Sequence, residues 1–184
     1  MQHVLTILAE GFEEIEAVTV IDLLRRAEIE VTVAGQTTKE ITGSHGITLM
    51  GDTTLEAVQQ EKYDALFLPG GQPGTTHLKE DPRVVALVKD FYQRSCFVTA
   101  ICAAPTVLHK AGITSGIAIT SYPSEASVFK EARYLEKPVV RSGRIITGRG
   151  VGTAIPFALT LVRAWKGEAA ARKLAGAILF DQPF

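Results

Sequence analysis

Four short apolar runs constrain this chain more than any other feature. They are Val4 to Ala9, Ala65 to Leu68, Phe97 to Ile101 and Arg144 to Thr147, and each gives way to a glycine, proline or cysteine turn. Short runs rich in Val, Ile, Leu and Phe, without polar alternation, read as strands buried on both faces. Helical patterns follow or separate them. Glu13 to Ala27 carries acids in its first turn and Arg25 and Arg26 in its last, which suits the helix dipole. Pro82 to Gln93 opens on proline, as helices often do. Strands alternating with helices imply an α/β fold with a mostly parallel central sheet and helices on both faces.

The other segments fit between these. Val31 to Ala34 reads as a strand and Thr42 to Leu49 as a hairpin around Ser44-His45-Gly46. Thr54 to Gln60 and Ala104 to Lys110 read as short helices, and Ser124 to Ala132 as a helix capped by Ser124. Ile117 to Thr120 and Val139 to Val140 are further strands. Thr153 opens a helix to Trp165, Gly167 ends it, and a last helix covers Glu168 to Leu179. With 184 residues, 46% of them apolar, and no linker or repeat, residues 1–184 form one domain.

Charge and cysteine use exclude several function classes. A net charge of −1 with no basic run speaks against nucleic-acid binding by phosphate neutralisation. No apolar run is long enough for a membrane span, and the first apolar stretch lacks the basic leader and length of a secretory signal. Cys96 and Cys102 flank an extended segment that holds them too far apart for a disulfide. Two free thiols point to a reducing compartment, hence the cytoplasm. His3, His45, His77 and His109 form no metal-binding spacing, so neither a metal nor a cofactor is expected.

In parallel α/β folds, ligands sit beyond the carboxyl ends of the strands. Those ends carry Glu10 to Glu13, Pro69-Gly70-Gly71, Ile101-Cys102-Ala103 and Gly148 to Gly152. Cys102 stands in a sharp strand-to-helix turn. There a helix start favours thiolate and backbone strain exposes the side chain; the plainer reading is a small, buried, inert cysteine. Gly70-Gly71 brings backbone amides close to a ligand and, with the Ala103 amide, would form an oxyanion hole, or else is a simple tight turn. The dipole explains Glu13 and Glu14. Glu16 instead shares its stripe with Val20, Leu23 and Leu24, one and two turns on. Burial there would keep it protonated and able to donate to a thiolate; otherwise it is a helix-edge acid reaching water. Among the histidines only His77, six residues after Gly71, is a candidate partner for the thiol.

Ala9 to Glu16, Leu68-Pro69-Gly70-Gly71, Ala100 to Pro105 and Arg149-Gly150-Val151-Gly152-Thr153 together resemble the ThiJ/PfpI superfamily. Within it the similarity is to the parkinsonism-associated deglycase branch and its bacterial relatives, and it spans essentially the whole chain. The resemblance implies a flavodoxin-like sandwich that forms a homodimer. It implies a nucleophilic Cys102, a carboxylic acid at Glu16 hydrogen-bonded to it, and oxyanion amides at Gly71 and Ala103. Gly70, Glu13, Tyr122 and Arg149 are then the substrate-binding positions. Related proteins are credited with glyoxalase III-type turnover of methylglyoxal, with hydrolysis of early glycation adducts, and with chaperone and oxidative-stress roles in which the cysteine becomes a sulfinate. The chain departs from the pattern in four places, one of them Val151, which stands where the Arg-Gly-Pro-Gly pattern of the protease branch has proline. Tyr122 occupies the segment where the eukaryotic branch has a histidine, and a tyrosine hydroxyl (pKa ~10) is a poor base. Ala103 stands where the protease branch has a histidine, so a Cys-His protease is not expected. His45 replaces the hairpin's basic residue.

The leading expectation is a cysteine-dependent enzyme acting on methylglyoxal, glyoxal or their early adducts, with Glu16 as the proton shuttle. The alternative is a redox-responsive chaperone or stress sensor. A flavin carrier is disfavoured by the acidic first loop, Glu10 to Glu14, where a phosphate would need amides and hydroxyls.

Overall fold

The computed structural model describes residues 3–184. Met1 and Gln2, which open the stretch read as too short for a leader, lie outside the described residues. In chain order the elements are β1 His3–Leu8, α1 Glu14–Arg26, β2 Glu30–Gly35, β3 Glu40–Thr42, β4 Thr48–Met50, β5 Thr53–Thr54 and β6 Ala65–Leu68. Then come α2 Gly74–Glu80, α3 Pro82–Gln93, β7 Phe97–Ile101, α4 Pro105–Lys110, β8 Ala118–Ile119 and β9 Arg133–Tyr134. The chain closes with β10 Val139–Ser142, β11 Ile145–Gly148, α5 Ala154–Lys166 and α6 Glu168–Ala177.

Seven strands form the central sheet in the order β10-β11-β7-β6-β1-β2-β5. All neighbours run parallel except β10 with β11. From β1 the chain builds outward to β2 and β5, then returns to β6 on the other side of β1. The winding direction reverses between β1 and β6, which opens a crevice at their carboxyl ends.

Strand alternation sorts the core into two layers. Val4, Leu8, Ala65, Phe67 and Ile146 face α1, α5 and α6, where they meet Val20, Leu24, Phe157 and Leu161. Leu5, Ile7, Leu66, Leu68 and Val98 face the other helices, where they meet Leu87, Phe91, Val107 and Leu108. The expected two-faced α/β sandwich is present. Among the described residues no helix is long and apolar enough to cross a membrane. Both cysteines are free.

Three local readings are corrected. Thr54 to Gln60 is not a helix. Thr53 and Thr54 extend the sheet as β5, followed by single 3₁₀ turns at Leu55–Ala57 and Gln60–Lys62. Only Leu55 is buried in those turns, so no apolar face sustains a helix. Ser124 caps no α-helix; Pro123–Val128 is a 3₁₀ segment with no buried residue, and the Ser124 hydroxyl turns to Glu125. Helix α2 was missed. It opens on Gly74-Thr75-Thr76, poor helix formers without a side-chain cap, and packing of Thr75 and Leu78 holds it instead.

Phe157 is fully buried on α5, with its ring centroid 5.9 Å from that of Phe67 on β6. Phe157→Ala is expected to lower unfolding free energy by about 3–5 kcal/mol in urea titrations. A loss below about 1 kcal/mol would show that this helix-to-sheet contact does not anchor the layer.

Candidate active site

β1, β6 and β7 end side by side, and their following loops interlock through the backbone. The Glu13 amide donates to the Gly70 carbonyl at 2.9 Å, and the Thr75 amide to the Gly71 carbonyl at 2.8 Å. Gly71 has a φ of 95°, and the backbone of Phe12 and Glu13 fills the space where a Cβ would go. Only glycine fits there.

Helix α1 starts at this junction. Glu13 is its N-cap and accepts from the Glu16 amide at 2.7 Å. That fixes the first turn and aims Glu16 inward. Glu16 is fully buried, and its Oε2 accepts from the Gly70 amide at 2.8 Å. Its Oε1 is buried without a hydrogen-bond partner of good geometry among the described residues.

Cys102 adjoins this carboxyl group. A Cβ placed on Gly70 would lie 2.7 Å from both Cys102 Cβ and Glu16 Oε2, so the bare Gly70 Cα is what lets the two side chains share one wall. Cys102 is half-buried and has a φ of 63°. A non-glycine residue in that region is strained by ~1–3 kcal/mol and persists only where its surroundings dictate it. Here they do: the Cys102 amide donates to the Gly148 carbonyl at 3.0 Å, and its carbonyl accepts from the Tyr122 amide at 2.7 Å.

Burial pushes the Glu16 carboxyl up to about 7, against the pull of the Gly70 amide and the Cys102 thiol. Burial, and then the charge of Glu16, push the Cys102 thiol up, while the Ala103 and Gly71 amides pull it down. This alters one expectation. Helix α4 begins only at Pro105 and has six residues, so burial and Glu16 outweigh the helix start at the sulfur. The groups favouring thiolate are the Ala103 and Gly71 amides themselves.

The crevice therefore brings together Cys102, Glu16, Gly70, Gly71, Ala103 and, as helix cap, Glu13. Tyr122 reaches the site through its backbone; its side chain is about half exposed and lies against Gly150. Arg149 extends one guanidinium nitrogen to Glu136 at 3.4 Å and donates its amide to the Pro138 carbonyl. His77 is turned away, with Nδ1 3.0 Å from the Glu10 carbonyl oxygen, in a cleft shared with Gln36, Glu80 and Asp81.

One residue does more than sequence reasoning assigned it. Glu14, read as a dipole group, accepts from the His45 amide at 2.6 Å and lies 2.9 Å from His45 Nδ1, clasping the β3–β4 hairpin to α1. Burial would raise its pKa, but the His45 side chain and the His45 and Ile47 amides overcome this and hold it at about 2. No local signal reveals the contact, because its partners lie 31 and 33 residues away. Ligand atoms of Glu13, Glu14 and His45 lie within 4.8 Å of one another. Glu13 is committed to its cap and Glu14 to the hairpin, so the cluster is already satisfied without a cation.

Glu16 makes stability depend on pH. Its folded pKa, about 7, is above the ordinary carboxylate value of 4.5. The native state thus holds a proton that the unfolded chain releases, and stability falls as pH rises between those values. Glu16→Gln should remove this slope, raising Tm relative to the parent at pH 8 but little at pH 4. Parallel melting curves for the two proteins would contradict the buried, proton-holding state.

A family model described as the DJ-1/PfpI family matches residues 2–164. The Danio rerio Parkinson disease protein 7 homolog is 41% identical over 186 residues, covering 98% of each chain. The Caenorhabditis elegans glutathione-independent glyoxalase DJR-1.2 is 35% identical over 159 residues, 86% of this chain and 85% of that one. Among solved structures, Drosophila melanogaster DJ-1beta superposes with a TM-score of 0.94 at 38% identity, covering 98% of this chain and 99% of that one.

Proposed function

This chain belongs to the DJ-1/PfpI family, and we propose that it is a cysteine-dependent enzyme acting on methylglyoxal, glyoxal or their early glycation adducts. The observation carrying this reading is the buried Glu16 carboxyl beside Cys102, with the Gly71 and Ala103 amides directed at the sulfur. The similarity to a relative named a glutathione-independent glyoxalase supports the substrate class.

The pair works with one proton. With that proton on Glu16, the carboxyl no longer repels a thiolate, and the two amides stabilise the sulfur anion. The thiolate adds to the aldehyde carbon of methylglyoxal, forming a C–S bond, and Glu16 delivers its proton to the resulting alkoxide. The Glu16 carboxylate then takes the C–H proton of the hemithioacetal, giving an enediolate, and returns it to the neighbouring carbon while the hydroxyl proton passes from the first oxygen to the second. The product of that shift is a lactoyl thioester. Water cleaves it, releasing lactate and one proton and restoring the thiolate and the Glu16 carboxyl. The sequence is redox-neutral overall: one water is added to methylglyoxal. Glu16 does the work assigned to a histidine elsewhere in the branch, and its pKa of about 7 suits both directions of transfer. For a glycated side chain the same addition and hydrolysis would free the amine. Gly70, Glu13, Tyr122 and Arg149 form the proposed substrate-binding surround.

In this reading the molecule is a homodimer. Ile15 and Val18 of α1, with Ile47 and Met50 near the hairpin clasp, are exposed apolar side chains suited to a second copy. The two free cysteines support a cytoplasmic setting.

Lactate formation from methylglyoxal should vanish in Cys102→Ala and fall by about 10²–10⁴-fold in Glu16→Gln. Retained turnover in Cys102→Ala would end the proposal.

A redox sensor or chaperone is the second reading, favoured by the same amides, which would also bind sulfinate oxygens. Mild peroxide should then add two oxygens to Cys102 ahead of Cys96, whose thiol burial also pushes up. Equal labelling of both cysteines, read by peptide mass, would remove this alternative.

A further inference from the structure

Away from the Cys102 crevice, β10, α5 and the segment after α6 enclose a cleft of about 500 Å³. Small-molecule sites commonly span ~300–1,000 Å³. Its apolar surface comes from Val139, Pro156 and the rings of Phe180 and Phe184, whose centroids are 6.3 Å apart. Its charged side chains are all of one sign: Lys137, Arg141 and Arg163, with no aspartate or glutamate.

The hydroxyls there are already used, and Gln182 donates its Nε2 to Asp181 at 3.1 Å. The Thr153 hydroxyl donates to the Gly150 carbonyl and the Thr160 hydroxyl to the Pro156 carbonyl. Arg163 donates to a main-chain oxygen of Phe184 at 2.7 Å, its guanidinium carbon lies 5.6 Å from the Phe184 ring centroid, and Glu168 approaches it at 3.9 Å. It holds the tail in place. Arg141 donates its Nε to the Gly143 carbonyl, its guanidinium carbon lies 5.8 Å from the Phe97 ring centroid, and its two terminal nitrogens make no hydrogen bond among the described residues. No hydrogen bond or ion pair engages Lys137 among the described residues. Two cations at the rim of an apolar cleft, with the hydroxyls committed, suit an anion with an apolar body better than a neutral polar molecule.

We propose that this cleft is a binding site for a small carboxylate bearing an aryl-sized apolar group. The carboxylate meets Lys137 and Arg141, and the apolar body packs on Phe180 and Phe184. The site is separate from the Cys102 crevice and does not depend on the proposed reaction.

Phenylacetate is the probe, with phenylacetamide as its neutral counterpart, titrated into the full chain by calorimetry and by backbone amide NMR. Saturable phenylacetate binding is expected, with shifts centred on Val139, Thr153 and Phe180. Phenylacetamide, and phenylacetate with Lys137→Glu/Arg141→Glu, should bind about tenfold more weakly. Both substituted side chains are polar and at the surface, so circular dichroism should show the variant folded. Cys102→Ala should bind phenylacetate as the parent does. No saturation by about 10 mM, equal affinity for the amide, or loss of binding in Cys102→Ala would each overturn the proposal.

Discussion

The buried hydrogen bond from the Gly70 amide to Glu16 joins the parts of the molecule on which its chemistry rests. It links the first turn of α1 to the loop after β6 across the point where the sheet's winding reverses. A carboxyl group carried into the interior would ordinarily be costly. Here one oxygen has an amide and the other is left without a satisfied partner, so the group lowers its cost by holding a proton. A donor is thereby kept in an apolar layer, beside Cys102 in its left-handed turn.

That arrangement needs backbone at its edges rather than side chains. Gly70 must be bare because Cys102 and Glu16 close over it, and Gly71 must be bare because the chain between β1 and α1 runs against it. Cys102 holds its strained φ because its amide and carbonyl are bonded to two different loops, at Gly148 and Tyr122. The strain is therefore distributed over β7, β11 and the segment after β8. None of these can relax alone, which holds the Cys102 side chain against Glu16.

What the sequence made legible follows from how local each determinant is. β6, β7 and α3 end where their apolar runs and Pro82 place them, since burial and capping are written in consecutive residues. Glu16 was legible for the same reason, as an acid on the stripe of Val20 and Leu24. The failures are all non-local. α2 is held by packing its propensities oppose, and β5 exists because Thr53 and Thr54 meet Ala34 and Gly35 across the sheet. Glu14 clasps a hairpin whose sequence gives no hint of it. The thiol's surroundings were misjudged in sign, because a helix start is visible in sequence whereas burial and the distance to Glu16 are products of the fold.

The absence of a histidine beside Cys102 changes the physics of activation more than its outcome. A histidine next to a cysteine can store charge as an ion pair, thiolate against imidazolium. A carboxyl cannot: it assists the thiolate only while protonated, and opposes it once ionised. The pair then carries a single negative charge in either of two tautomers, and the Gly71 and Ala103 amides decide how far it resides on sulfur. Such a site gains nothing from pH above the carboxyl's own titration, since removing the shared proton leaves two like charges in one wall of the crevice. It is suited to reactions in which a proton leaves and returns within one turnover, and poorly suited to those that need a lasting general base. Addition to a carbonyl followed by an internal proton shift has that character.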